Sequence, residues 1–364
     1  MNRPVKNAAM RAYTGSDALE AAEVVTKRIN LALQGGGAHG AFGWGVLDKL
    51  MEDGRIEIDG MSATSAGAMN ATVFAYGFMK GGRAGARELL ELFWSRVSDA
   101  GRLSSPIQST PVDAWLRAFG LPEPLAYRAF EFMTHTLSPY ELNPLNLNPL
   151  KTVLTDTVDF DELRTCTTTT LRLCATSVRS GKPRIFTNAE ISPEAVLASA
   201  CLPLLFQAVE VEGEHYWDGG FIGNPAIYPL IYDAGSRDIL IVHINPIIRD
   251  ELPTKSADIM NRVNEISFNS SLMREMRAIH FVSKLIDDDW LRPEVRDKLS
   301  RVFIHAIRSD DVMSSFSVAS KFNTEWSFLT QLRDLGRQAA ELWLATHFDD
   351  LNVRSSVDIK GDYL

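Results

Sequence analysis

The chain has 364 residues, 45% of them hydrophobic, enough for a sizeable core in one large domain or two modest ones. Its formal charge is −9, with 46 acidic against 37 basic residues and no basic stripe, which argues against a nucleic-acid partner. The three cysteines, Cys166, Cys174 and Cys201, follow no metal-ligand spacing, and their odd number without a secretory leader points to reduced core thiols.

Residues 1–28 are polar and mixed in charge and read as an N-terminal arm. The arm holds no apolar run of signal-peptide type. No stretch reaches the roughly 18 consecutive apolar residues of a membrane span. The chain therefore reads as soluble and cytoplasmic, with peripheral membrane contact left open.

Ile29 to Gln34 is an apolar run with the length of a buried strand, ended by Gly35, Gly36 and Gly37. Ala41 to Glu52 carries helical spacing at Phe42, Val46, Leu47 and Leu50. Asp59 to Thr64 reads as a second strand. Ala66 to Met79 reads as a helix apolar on most sides, hence buried. Gly81 and Gly82 stop it, and Ala84 to Val97 forms a further amphipathic helix.

Residues 100–150 change character, with prolines at 106, 111, 122, 124, 139, 144 and 149 and aromatics between them (Trp115, Phe119, Tyr127, Phe130, Phe132, Tyr140). Helical patches are expected at 111–119 and 125–135. Composition alone does not separate an ordinary insertion from a lid over a site.

Strands are expected at Leu171–Ser177, Arg184–Thr187, Gln207–Val211, His215–Trp217, Asp238–Asn245 and Arg301–Ile307. Helices are expected at Pro193–Ala200, Pro225–Asp233, Ala257–Asp289 and Thr324–Phe348, the last with an apolar stripe of Trp326, Leu329, Leu332, Leu335, Ala339, Leu342 and Trp343. In the 257–290 segment Met260, Val263, Ile266, Phe268, Leu272, Met276, Ile279, Phe281 and Leu285 are expected to face the core first, with a dimer interface or a lipid-facing patch as alternatives. Strands alternating with helices predict an α/β fold with a mostly parallel sheet covered on both faces.

Three stretches carry chemistry. In the first, Gly35-Gly36-Gly37-Ala38-His39-Gly40, glycines after a strand let backbone amides point at an anion where a helix begins. No Gly-Lys-Ser/Thr ending follows and the spacing departs from G-x-G-x-x-G, so neither nucleotide pattern fits. In the second, Ala63-Thr64-Ser65-Ala66-Gly67, one hydroxyl sits at a sharp strand-to-helix turn whose flanks are small, as a nucleophile elbow requires. Taken alone, Ser65 would be a helix N-cap. Beside the glycine loop it reads as a nucleophile, with the helix dipole at Ala66 favouring negative charge there. In the third, Asp218-Gly219-Gly220 places a carboxylate in a tight turn after a strand, where it is either a turn aspartate or a proton acceptor for the serine.

Together these blocks resemble those of the patatin-like phospholipases, a family of lipid acyl hydrolases that use a Ser–Asp dyad. The family motif G-G-G-x-Arg/Lys-G aligns with Gly35 to Gly40, G-x-Ser-x-G with Ala63 to Gly67, and Asp-Gly-Gly/Ala with Asp218 to Gly220. A block of small residues ending in proline is similar to Ala198-Ser199-Ala200-Cys201-Leu202-Pro203. The resemblance covers residues 29–235. It implies a patatin-like three-layer α/β/α sandwich, Ser65 as nucleophile, Asp218 as general base, an oxyanion hole on Gly35–Gly40, no cofactor and no metal. The implied partner is a lipid or other ester, and nothing in the sequence supports an oligomer. The remainder, 236–364, is expected to complete the same domain.

Two positions depart from the motif. His39 stands in place of Arg or Lys and adds charge only when protonated, with an ordinary pKa of about 6.5; a structural side chain is the plainer reading. Ala63 stands in place of Gly. A Ser-Asp-His triad through His243, His280, His305 or His347 is the competing mechanism. His243 and His305 lie in apolar strands and read as core histidines, while His135 and His215 fit no pattern. The sequence also leaves open a thioester, polyester or other small-ester substrate, and a lipid-binding module without chemistry.

Overall fold

A computed structural model describes residues 25–104, 136–233, 235–292 and 301–364. Most of the N-terminal arm, the expected helical patches at 111–119 and 125–135, and His135 lie outside the described residues, as does most of the segment that raised the lid reading.

Among the described residues eight strands form one sheet: β1 (Lys27–Leu33), β2 (Ile56–Thr64), β3 (Thr170–Ser177), β4 (Pro183–Thr187), β5 (Val209–Val211), β6 (Glu214–Asp218), β7 (Asp238–Val242) and β8 (Phe303–Ile307). The order is β5-β6-β3-β2-β1-β7-β8, with β4 also paired to β3. The pairs β1–β2, β1–β7, β2–β3 and β7–β8 are parallel. The pairs β3–β4, β3–β6 and β5–β6 are antiparallel. Glu212 and Gly213, both at positive φ, turn β5 into β6.

The helices that matter here are α1 (Gly40–Asp53), α2 (Ala66–Ser104), α3 (Pro149–Thr157), α4 (Pro193–Ser199), α5 (Tyr228–Asp233), α6 (Ser256–Asp287), α7 (Trp326–His347) and α8 (Ile359–Tyr363). The alternation along β7 shows how they cover the sheet. Leu240 and Val242 face a core built with α1, α2, α4 and α7, whereas Ile239 and Ile241 face a second core with Ile227, Leu230, Leu272, Met276, Ile279 and Tyr363. Side chains alternate across a strand, so burial on both faces gives the continuous apolar reading of β7. The result is the expected three-layer α/β sandwich with a mostly parallel sheet.

As expected, Gly81 and Gly82 leave helical geometry and divide α2 into two helical segments that meet at a kink, the second running on to Ser104. One helix expectation changes. In α7 the buried stripe passes through Leu329, Leu332, Gly336, Ala340 and Trp343, while Leu342 is exposed. The reason is a close crossing with α1. A side chain on Gly45 would strike the Arg333 carbonyl, and one on Gly336 would strike the Phe42 carbonyl. The axes approach where neither helix has a side chain, so the stripe centres on a glycine that an apolar count ignores.

In α6, Leu272, Met276 and Ile279 are core residues, but Met260, Val263, Ile266 and Phe281 face outward. The expectation of an inward stripe therefore holds only between Leu272 and Ile279. No helix among the described residues is long and apolar enough to cross a membrane.

Candidate active site

The register of β3 builds the site. Cys174 pairs with Thr64 of β2 on one edge and with Ile185 of β4 on the other. The next residue, Ala175, pairs with Arg184 of β4 and with Asp218 of β6. With β4 on the far edge throughout, β6 continues the edge that β2 leaves. The two strands run toward each other and end at adjacent positions, about 3.3 Å apart along β3. Ser65 follows Thr64, so the topology brings Ser65 beside Asp218.

Ser65 sits in the left-handed region at φ 57, an uncommon and strained place for a residue with a Cβ. Its carbonyl accepts from Met69 N, opening α2, and its amide donates to Ser199 Oγ at 2.9 Å. Among the described residues its hydroxyl caps no helix amide, so the N-cap reading of Ser65 does not describe this side chain. Ala63 is fully buried within β2, paired to Leu33 and Leu173, where a methyl group fits the core. Beyond the turn, a side chain on Gly67 would strike the Leu33 carbonyl.

Asp218 is fully buried. Its Oδ1 accepts the Gly220 amide at 2.7 Å, and its own amide donates to the Cys201 carbonyl at 2.7 Å. Oδ2 has no hydrogen-bond partner among the described residues. Burial pushes the carboxyl pKa up to about 6, opposed by the Gly220 amide, the Ser65 hydroxyl and the Lys321 ammonium. The hydroxyl of Ser65 is thus near enough to favour the carboxylate without a formed hydrogen bond to Oδ2.

The glycine loop lies over Ser65. A side chain on Gly35 would collide with the Ser65 Cβ. Gly37, at φ 59, turns the chain into a single 3₁₀ turn, Gly37–His39, and the Lys321 carbonyl occupies the place of a side chain there. Three of the loop amides already have acceptors: Gly35 donates to Asn224 Oδ1 at 2.7 Å, His39 to the Gly36 carbonyl, and Gly40 to the carbonyls of Gly37 and Ala38. The amides of Gly36, Gly37 and Ala38 have no acceptor among the described residues. Of the six loop residues, these three leave a backbone donor open.

His39 is buried against Phe316 and Phe328, and its Nε2 lies 2.7 Å from Ser320 Oγ. Ser320 gives its proton to the Ser317 carbonyl, so it accepts from a neutral His39. Burial, with the Lys321 charge beside it, takes the imidazole pKa down to about 3. His39 is a structural neutral side chain. His243 is buried against Tyr363 at 2.8 Å, and His305 is held between Asp238 and Ser356, each at 3.0 Å. Both are engaged core histidines.

Sequence reading missed the support beneath the loop. Gln34, Asn224, Asn245 and Asn269 are buried and joined. Gln34 Oε1 accepts the amides of Ile244 and Asn245, and Gln34 Nε2 donates to the Asn224 carbonyl and to Asn269 Oδ1. Asn245 Nδ2 donates to the Gly35 carbonyl at 3.0 Å. Asn224 and Asn245 each precede a proline, which in sequence reads as a turn and gives no sign of a carboxamide network. The small-residue block has a visible role too. Ser199 Oγ receives the Ser65 amide and donates to the Cys174 carbonyl at 2.6 Å, while Cys201 receives the Asp218 amide. The three cysteines are buried and unbridged. No group of three or more His, Cys, Asp or Glu side chains comes together as a metal site among the described residues.

A family model described as patatin-like phospholipase matches residues 31–231. No curated protein sequence matches the chain. Among solved structures, VipD from Legionella pneumophila shares 14% identity over 85% of this chain and 67% of that chain, with a TM-score of 0.29. Full-length ExoU, solved with full-length SpcU from the type III secretion system of Pseudomonas aeruginosa, shares 16% identity with a TM-score of 0.28. That match covers 87% of this chain and 53% of the other, so the chain spans about half the length of that structure.

Proposed function

This chain belongs to the patatin-like phospholipase family, and is in general terms a lipid hydrolase; from that premise we propose that it cleaves carboxylic esters through a Ser65–Asp218 dyad and an acyl-enzyme. Asp218 takes the Ser65 proton as Oγ attacks the carbonyl carbon. The oxyanion of the tetrahedral intermediate accepts from the amides of Gly36, Gly37 and Ala38. Collapse expels the alcohol, which recovers the proton from Asp218, and leaves the acyl group on Ser65. Asp218 then draws a proton from water as the water attacks the acyl-enzyme, and the fatty acid leaves with Ser65 restored.

One observation carries the reading: β2 and β6 end head to head on one edge of β3, so that a strained serine and a buried carboxylate become neighbours, with Gly35 of the glycine loop against the Ser65 Cβ. A carboxyl with a pKa of about 6 is ionised at neutral pH yet basic enough to share a proton in the transition state. The site needs no histidine, in keeping with the engagement of His243 and His305 elsewhere.

The test is hydrolysis of p-nitrophenyl esters of rising chain length by wild type, Ser65→Ala and Asp218→Asn. Both variants should lose turnover by at least about 10³-fold while remaining folded. Turnover near the wild-type rate in either folded variant would overturn the dyad.

A further inference from the structure

His39 is neutral, and its ring is committed to Ser320. The loop therefore carries no cation at the position where its motif places Arg or Lys. A cation comes to the loop from another part of the chain. Lys321 belongs to a 3₁₀ turn, Val318–Phe322, whose backbone lies against the loop, with the Lys321 carbonyl filling the space beside Gly37. Its ammonium donates to Asn245 Oδ1 at 2.9 Å, and the other end of that carboxamide holds the Gly35 carbonyl. The ammonium also lies 5.4 Å from the centre of the Phe268 ring, which packs against Gly220 in the turn that holds Asp218. A small cavity lined by His39, Asn245, Glu265 and Lys321 opens beside the loop.

The charge of Lys321 is not spent on an ion pair. Glu265, the acidic neighbour on α6, is bridged by Arg249 at 2.6 Å and by Arg262 at 3.2 Å. Among the described residues no carboxylate lies within salt-bridge distance of Lys321. The titratable and charged groups facing it are Asp218 at the end of β6, Glu265 with its two arginines on and beside α6, and His39 on the loop.

We propose that Lys321 is a positioning residue that supplies the positive charge of this site in place of the basic residue of the loop motif, its ammonium fixing the Gly35 end of the loop through Asn245 and favouring the ionised Asp218 from across the Phe268 ring. The proposal rests on the Ser65–Asp218 reading. Burial lowers the Lys321 pKa to about 8, so the charge is present at neutral pH and is lost in mildly alkaline solution.

The experiment is the pH profile of fluorophosphonate labelling and of ester kcat/KM for wild type, Lys321→Met and Lys321→Arg, with folding followed by thermal unfolding. Wild type should rise through about pH 6 and fall again near pH 8, following Asp218 and Lys321. Lys321→Met should lower the plateau by roughly tenfold, move the acid limb up by about half a pH unit or more, and abolish the fall near pH 8. Lys321→Arg should keep the plateau within about threefold and lose the alkaline limb, because arginine stays protonated. Variants that lower the rate equally at every pH, with both limbs unmoved, would overturn the proposal and leave the dyad intact. If Lys321→Met does not fold, an unchanged alkaline limb in Lys321→Arg would overturn it. A folded wild type that is not labelled at Ser65 would overturn the dyad reading and this proposal together.

Discussion

The stretch from Leu31 to Ile231 and the stretch from Asp238 to Leu364 differ in what they bring to the site. The first contains the glycine loop, Ser65 and Asp218, each at the end of a strand or at a helix start, and Ser199 at the end of α4. The second contains no recognisable motif. Yet it places β7 beside β1, wedges the 3₁₀ turn of Lys321 under Gly37, and contributes Asn245 and Asn269 to the network that holds the loop. Ser65 and Asp218 lie at strand ends, where a mostly parallel sheet opens. The groups that hold them come from whatever packs across those ends, and only the fold decides what that is. A motif search therefore finds the chemistry and overlooks its support.

Substitutions on either side of this division should separate function from folding. Gly37→Ala strikes the boundary itself, adding a side chain at positive φ against the Lys321 carbonyl. Displacing the amides should cost about 10²–10³-fold in turnover, with a stability loss of about 1–2 kcal/mol. Ester kinetics and urea unfolding would show both, and a change in stability alone would remove the loop amides from the mechanism.

Gly336→Val strikes the second region far from the chemistry. The Phe42 carbonyl leaves no room for a side chain, so the α1–α7 crossing must open. A loss of about 3 kcal/mol is expected, seen as a lower urea midpoint, while the folded fraction keeps wild-type turnover per active site. Unchanged stability would mean that the crossing is looser than the contact requires.

Besides its loss of turnover, Asp218→Asn should change how stability depends on pH. Burial raises the Asp218 pKa from its ordinary 3.8 to about 6. Between those values the folded protein holds a proton that the unfolded chain has released, so wild-type stability falls as pH rises through the window. Asparagine has no proton to lose. Relative to wild type, the variant should therefore gain up to about 3 kcal/mol between pH 4 and pH 7. Other titrating groups are common to both proteins and cancel in the difference. A pH-independent difference would show that Asp218 is not held at a raised pKa.

The first region was legible in the sequence because its local chemistry is distinctive. Three glycines after an apolar strand, a serine between Ala63-Thr64 and Ala66-Gly67, and Asp218-Gly219-Gly220 after a strand each state a backbone requirement, and the strands and helices around them alternate with clear periods. The juxtaposition of Ser65 and Asp218 was not readable from residues alone, because it depends on β6 taking the edge of β3 that β2 vacates. Lys321 was invisible for a similar reason: one lysine in a polar stretch looks like any surface lysine until its carbonyl is seen beneath Gly37. The α7 stripe misled because a glycine, not an apolar side chain, marks the closest approach. On α6, apolar spacing in the first turns predicted burial, and Met260, Val263 and Ile266 are exposed instead.

The most direct test of the central claim is the mass of the intact protein after reaction with a fluorophosphonate, followed by mapping of the modified peptide, for wild type, Ser65→Ala and Asp218→Asn. The account predicts one adduct per wild-type chain, located on Ser65. It predicts none on Ser65→Ala and strongly slowed labelling of Asp218→Asn. An adduct on another residue, or equal labelling of the Asp218→Asn protein, would contradict it.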